Sequence, residues 1–194
     1  MRIVGGDFRG RSLATPRSDD IRPTTDRTRE AVFNVLAHRF GDRVAGARVL
    51  DLFAGTGALG LEALSRGAHR VDLVEKDARA AAVASANAAR VARATGQEDA
   101  VAVHRIAVDT YLEGRTAQAD LIFMDPPYEF PEHVISRTLE RILPVLAGGG
   151  LLILERSGRS PAPTVPAALT ANRSQRYGDT VLWWYTATDP DSGT

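Results

Sequence analysis

A three-layer α/β sandwich around a mostly parallel, seven-stranded sheet is the fold this sequence predicts. Between residues 47 and 155, five short apolar runs alternate with stretches of helical periodicity, which is the signature of repeated β–α units. The first run, Val49-Leu-Asp-Leu-Phe53, passes directly into Ala54-Gly-Thr-Gly57 and then into a helical pattern through Leu59, Leu61 and Leu64. The last two runs, 172–177 and 180–186, are separated only by Gly178-Asp179, so they read as an antiparallel hairpin closing the sheet.

At 194 residues the chain is long enough for one well-buried domain and a short extension. Formal net charge is zero, so the global balance does not demand a polyanionic partner. The absence of cysteine excludes a disulfide framework and a thiolate metal site. His38, His69, His104 and His133 show no ligand spacing, so no metal is expected. No apolar run approaches a membrane span and the N-terminus has no secretory apolar segment, so the expected location is cytoplasmic, without a membrane partner.

The elements follow in order. Residues 1–45 read as an extension in front of the main fold, 46–187 as the main domain and 188–194 as a disordered polar tail. The extension opens with a short hairpin over 1–13, turning at Gly5-Gly6-Asp7. Its charge is uneven, with Arg2, Arg9, Arg11 and Arg17 against Asp7 alone through Ser18. Arginines interleaved with Phe8 and glycines suit a groove that follows a phosphate backbone and stacks a base; a solvated terminus is the alternative. After Pro23, one of Thr24, Thr25 or Asp26 can cap a helix whose apolar stripe is Val32, Val35, Leu36 and Phe40. Arg22, Arg27 and Arg29 crowd its start, where cations oppose the helix dipole, so an anionic partner explains them better than local stability does.

In the main domain, 48–53 is the first strand and 58–66 the first helix, ended by Gly67. Residues 70–75 form the second strand, and Asp77 caps the alanine-rich helix from 78 to about 94. Residues 101–106 are the third strand, with a short helix near 109–112, and 120–124 the fourth, apolar enough to be covered on both faces. Pro131 can start the next helix, Pro144 should shorten it, and Gly148-Gly-Gly150 should end it before the fifth strand, 151–155.

Ligands of an open α/β sheet sit beyond the carboxyl ends of the strands, near the point where strand order reverses. Asp51, the glycine turn, Glu75 and Asp125-Pro126-Pro127-Tyr128 all fall at such ends. Gly55 and Gly57 can take positive φ and allow close approach to the backbone. As a pattern, Gly55-x-Gly57-x-x-Gly60 also fits dinucleotide binding, with Glu75 as the downstream acid, but Asp51 would then face a pyrophosphate. A carboxylate there suits a cation such as S-adenosylmethionine, with its ammonium and sulfonium; the alternative is that Asp51 only caps its own loop. Glu75 can accept hydrogen bonds from two ribose hydroxyls. The two prolines fix the backbone so that the Asp125 carboxylate and the Pro126 carbonyl converge on one amino group. Tyr128 offers a ring for a planar base.

These segments resemble a Rossmann-like, S-adenosylmethionine-dependent methyltransferase that modifies exocyclic base amines through an Asp/Asn-Pro-Pro-Tyr/Phe motif. Within that group the chain is similar to bacterial 16S ribosomal RNA guanine-N2 methyltransferases of the RsmD type. The matching stretches are Arg2-Ile-Val-Gly-Gly-x-x-Arg9-Gly-Arg11, Arg22-Pro-Thr-Thr-Asp-Arg27-x-Arg29-Glu30, 51–67 and 125–128. The resemblance implies methyl transfer to a guanine N2 in 16S rRNA, naked or in the assembling small subunit, by a monomer without a metal. It implies Asp125, Pro126 and Tyr128 as catalytic residues and Asp51, Phe53, Gly55, Gly57 and Glu75 as cofactor contacts. Arg2, Arg9, Arg11, Arg22, Arg27 and Arg29 would grip RNA, and loss of residues 1–16 should spare folding and cofactor binding. Where relatives place Asn or Asp-Ala against the cofactor adenine, this chain reads Ile106-Ala107-Val108-Asp109; either Asp109 or backbone amides near Ala107 would serve. An adenine-N6 methyltransferase is the alternative within enzymes, and a non-catalytic RNA-binding module is the alternative outside them.

Overall fold

The computed structural model describes residues 1–15, 26–96 and 98–188. Arg17, Arg22 and the tail from Asp189 lie outside the described residues, as do the capping threonines Thr24 and Thr25. Helix α1 spans Asp26–Arg39. Then come β1 (Arg48–Leu52), α2 (Ala58–Ser65), β2 (Arg70–Val74), α3 (Ala78–Thr95), β3 (Val101–His104), α4 (Val108–Leu112) and β4 (Ala119–Met124). Helix α5 (Glu132–Ile142) and strands β5 (Leu146–Ser157), β6 (Leu169–Tyr177) and β7 (Thr180–Ala187) complete the domain.

The sheet has seven strands in the order β3-β2-β1-β4-β5-β7-β6. Strands β1 to β5 are mutually parallel, and β7 pairs antiparallel with both β5 and β6. Strand order reverses between β1 and β4, which opens the crevice at their carboxyl ends. Alternation along each strand separates two cores. Val49, Leu73, Leu121, Phe123, Ile153 and Trp184 pack with α1 and α2 on one face. Leu50, Leu52, Ile122, Met124, Leu154 and Tyr185 pack with α4 and α5 on the other.

Local chemistry explains most boundaries. The Asp77 carboxylate accepts from the backbone N–H groups of Arg79 and Ala80 and caps α3. Pro144 ends α5, since a 3-10 turn over Leu143–Val145 follows directly. Strand β5, however, begins at Leu146 and runs through the three glycines that were expected to precede it. Its register against β4 shifts between Ala119 and Leu121, and that irregularity absorbs the glycine run.

The N-terminal hairpin is not an appended arm. Arg2 bridges Ser12, and Ile3, Phe8 and Leu13 are buried in the same core as α1 and α2. Phe8, expected to be available to a base, is therefore a core residue, because burying its ring against α2 removes more apolar surface than exposure would allow. The Glu62 carboxylate accepts from Val4 N and Gly5 N at 2.8 Å each. Ser65 accepts from Phe8 N at its hydroxyl and from Asp7 N at its carbonyl. A Cβ on Gly6 would lie 1.8 Å from Ser65 O, so the glycine is required by docking as well as by its φ of +71°. Removing this segment would open the core, contrary to the expectation that the rest folds without it.

Candidate active site

In the parallel register Leu52 faces Val74 on one side and Met124 on the other, so the next residues, Phe53, Glu75 and Asp125, emerge together at the sheet's carboxyl edge. Asp51 lies two residues inside that edge and is only 1 % exposed. One of its carboxylate oxygens accepts from Gly60 N at 2.9 Å; the other, buried, has no hydrogen-bond partner among the described residues. Burial pushes the Asp51 carboxyl up to about 8; the Gly60 N–H works against this, and Asp125 and Glu75 add to it. A buried acceptor left open beside two further carboxylates is a site that favours a cation.

Glu75 is fixed by two backbone donors, Gly55 N at 2.9 Å and Asp77 N at 2.8 Å, one on each oxygen. Each oxygen keeps a second lone pair, so the carboxylate can still accept from a diol. The three glycines of the motif, Gly55 and Gly57 in the turn and Gly60 in α2, divide in role. Gly55 has φ +54° and a Cβ there would meet nothing within 4 Å among the described residues, which leaves room for a ligand at its backbone. Gly57 and Gly60 instead press on Leu73, where a Cβ would lie 2.8 and 2.4 Å away. Gly57, expected to admit a ligand, is also required by helix–strand packing and by its φ of +80°. Phe53 has φ +64°, an uncommon conformation for an aromatic residue, and its ring meets Phe130 edge-on at 5.6 Å. Lys76 lies over the Phe130 ring, 5.8 Å from its centroid. The orphaned Asp51 oxygen, the open backbone at Gly55 and the diol acceptor Glu75 together fit S-adenosylmethionine.

Asp109, proposed as an adenine contact, also carries a structural link. Its carboxylate pairs with Arg137 on α5 at 2.9 Å and its carbonyl accepts from Arg141, so it ties α4 to α5. The backbone at Ala107, just before α4, is exposed, so it and the second Asp109 oxygen are the two groups proposed for an adenine contact.

Beyond β4, Pro126 is buried whereas Pro127 and Tyr128 are exposed. Tyr128, 36 % exposed, is the exposed large hydrophobic side chain among the described residues, and its hydroxyl lies 3.0 Å from Thr180 Oγ1 at the start of β7. Nothing in the sequence pointed to Thr180, because the contact spans 52 positions.

The arginines separate into two groups. Arg2, Arg9, Arg11 and Arg27 are exposed. Arg29, expected to grip a phosphate, is 0 % exposed. Its guanidinium binds the Asp26 carboxylate at 2.7 Å and the Arg2 carbonyl at 2.5 Å, and lies 3.8 Å from Glu62. Glu62, also fully buried, holds Arg66 at 2.9 Å as well as the hairpin. Sequence reasoning missed Glu62; the clue was an acid in the otherwise small and apolar segment Ala58-Leu-Gly-Leu-Glu-Ala-Leu-Ser65.

Residues 1–186 match the family model described as conserved hypothetical protein 95. The chain is similar to ribosomal RNA small subunit methyltransferase D of Escherichia coli, 36% identical over 187 residues that cover 95% of this chain and 89% of that protein. Among solved structures, the yhhF protein of Escherichia coli superposes with a TM-score of 0.83 at 33% identity, over 97% of this chain and 98% of that one. A Thermus thermophilus protein, TTHA0928, gives 0.77 at 29% identity, over 97% and 99%. With nearly every residue of the described fold covered by these matches, the chain belongs to the conserved hypothetical protein 95 family, that of the RsmD-type methyltransferases.

Proposed function

We propose that the protein is an S-adenosylmethionine-dependent rRNA methyltransferase whose target is the exocyclic N2 of a guanine in small-subunit rRNA. The observation that carries this reading is the position of Asp125-Pro126-Pro127-Tyr128 at the end of β4, across the crevice from Asp51 and Glu75. Bound S-adenosylmethionine supplies an electrophilic methyl group. Asp51 would take the ammonium of that molecule and Glu75 its ribose hydroxyls, with the half-buried Gly55 alongside.

The chain's own contribution to chemistry is orientation. An exocyclic amine is a poor nucleophile because its lone pair is delocalised into the ring. Hydrogen bonds from the amine to the Asp125 carboxylate and the Pro126 carbonyl turn that lone pair out of conjugation and aim it into the cleft. A proton lost from the nitrogen passes to Asp125 and from there to solvent. A guanine within a stem must leave its stack at a cost of a few kcal/mol, which stacking on the Tyr128 ring partly offsets. Thr180 holds that ring by its hydroxyl. Arg2, Arg9, Arg11 and Arg27 bind phosphates on the hairpin side.

The test is nucleoside analysis of in vitro transcribed 16S rRNA, and of small subunits assembled on it, after incubation with methyl-labelled S-adenosylmethionine. N2-methylguanosine is expected. Label in N6-methyladenosine, or none in either substrate, would overturn the assignment.

A further inference from the structure

The sheet rim beyond Tyr128 carries two arginines that the reading above does not use. The loop that begins after β5 at residues 158–160 and the β6–β7 turn at residues 178–179 lie side by side, joined by a hydrogen bond from Gly158 N to Asp179 O at 2.6 Å, with Arg176 near the end of β6. Arg159 and Arg176 are both exposed. Among the described residues, the ion pairs include neither of them.

Arg176 is held in a fixed position. Its Nε donates to Gly178 O at 3.1 Å and its Nη2 to Gly158 O at 3.3 Å. The guanidinium lies so close to Gly158 that a Cβ there would sit 2.2 Å from Nη2 and 2.8 Å from Cζ. Two neutral carbonyls orient the charge without neutralising it, and they use two of the five N–H donors. A guanidinium arranged in this way is prepared for a bidentate anion.

The surroundings say which anion. Thr180, which bonds the Tyr128 hydroxyl, stands opposite Tyr177 on β6 and Ser157 on β5, so the two loops border the motif that receives the target base. Two of the nearby acids are engaged or buried, whereas Glu129 beside Tyr128 and Asp179 in the turn are exposed. Glu132 accepts from Arg156 and from Thr164 N, Glu155 is buried, and Asp179 is the acid of the second loop.

We infer that Arg176, assisted by Arg159, is a phosphate-binding site for the RNA backbone next to the target nucleotide, on the opposite side of Tyr128 from the cofactor cleft. The inference rests on the proposed rRNA substrate. It makes the RNA surface two-sided, with the N-terminal arginines on α2's side and this loop pair at the β5–β7 end.

The test compares wild type, Arg176→Ala, Arg176→Lys, Arg159→Ala and Gly158→Ala on unmodified 16S transcript, with melting temperature and S-adenosylmethionine affinity measured for each. Arg176→Ala should raise the KM for RNA roughly tenfold, leaving kcat, melting temperature and cofactor affinity near wild type. The slope of log affinity against log salt should flatten by about 0.7–0.9 for each lost contact. Arg176→Lys should restore the slope and only part of the affinity, and Gly158→Ala should weaken RNA binding with charge unchanged. A double variant lacking both arginines that binds RNA as wild type does, with the same slope, would overturn the inference alone. Wild type that methylates no rRNA would overturn the functional reading and this inference together.

Discussion

Replacing Asp51 by asparagine should make the ligand-free protein more stable at alkaline pH. Asp51 ionises at 3.8 in an ordinary environment and at about 8 in this fold, chiefly through burial. Between those values the folded protein binds a proton that the unfolded chain has lost, so stability falls as pH rises through this window and is level above it. A tenfold change in proton affinity corresponds to about 1.4 kcal/mol, which sets a ceiling of roughly 6 kcal/mol for the full penalty. Local relaxation reduces it, and about 3 kcal/mol would lower the melting temperature by roughly 6–12 °C in a domain of this size. Asparagine keeps the shape and an acceptor for Gly60 N but carries no charge.

The assay is thermal unfolding of both proteins from pH 5 to 9. The difference between them should widen up to about pH 8 and then stay constant, with the variant the more stable. Calorimetry in buffers of different ionisation enthalpy adds a second readout. S-adenosylmethionine should displace a proton from the wild type at pH 7, and much less from the variant, because the ligand's ammonium stabilises the ionised carboxylate. Parallel melting curves with no proton release would refute the account of Asp51 as a buried, cation-seeking group.

Other outcomes follow from the same geometry. Asp125→Ala should lower turnover by roughly two to three orders of magnitude while cofactor affinity, by titration calorimetry, stays near wild type; unimpaired methylation would remove Asp125 from the chemistry. Tyr128→Ala should cost roughly 1–3 kcal/mol of transition-state stabilisation, whereas Tyr128→Phe keeps the ring, loses one exposed hydrogen bond and should change kcat/KM by only a few-fold. Glu62→Ala strips the buried counter-charge from Arg29 and the anchor from Val4 and Gly5, and should destabilise by about 3–5 kcal/mol in denaturant titration. Removal of residues 1–15 exposes the sites of Ile3, Phe8 and Leu13, each worth about 1.5–3 kcal/mol; loss of cooperative unfolding is expected, and a truncated protein that melts like wild type would contradict the packing.

Much of the site was legible because its signals are local. The glycine turn follows its strand without interruption, and the Asp-Pro-Pro-Tyr segment follows another, so sequence adjacency and the rule for open sheets together bring Asp51, Glu75 and Asp125 to one edge. Asp77 as a cap, Gly178-Asp179 as a turn and Pro144 as a helix stop are equally local, because each acts through its own backbone. Contacts that span the chain were not legible. Thr180 meets Tyr128 only because β7 lies beside β5, and Asp109 meets Arg137 only because α5 packs beside α4. The carbonyl cradle of Arg176 needs the two loops side by side.

Arg29 shows where local electrostatics gives the wrong sign. A cation at a helix start opposes the dipole by about 0.3–1 kcal/mol, and on that ground an external anion seemed required. The fold supplies the anion internally: Asp26 one turn before it and Glu62 from α2, in an interior where a unit charge at contact distance outweighs a helix end severalfold. The same guanidinium takes the Arg2 carbonyl, so the residue expected to bind RNA instead clamps the hairpin that carries Arg2, Arg9 and Arg11. A charge that looks unfavourable from its own helix is thus weak grounds for a partner molecule until the packed neighbours are known. That is why Arg27, exposed on the same turn, keeps its proposed phosphate role while Arg29 does not.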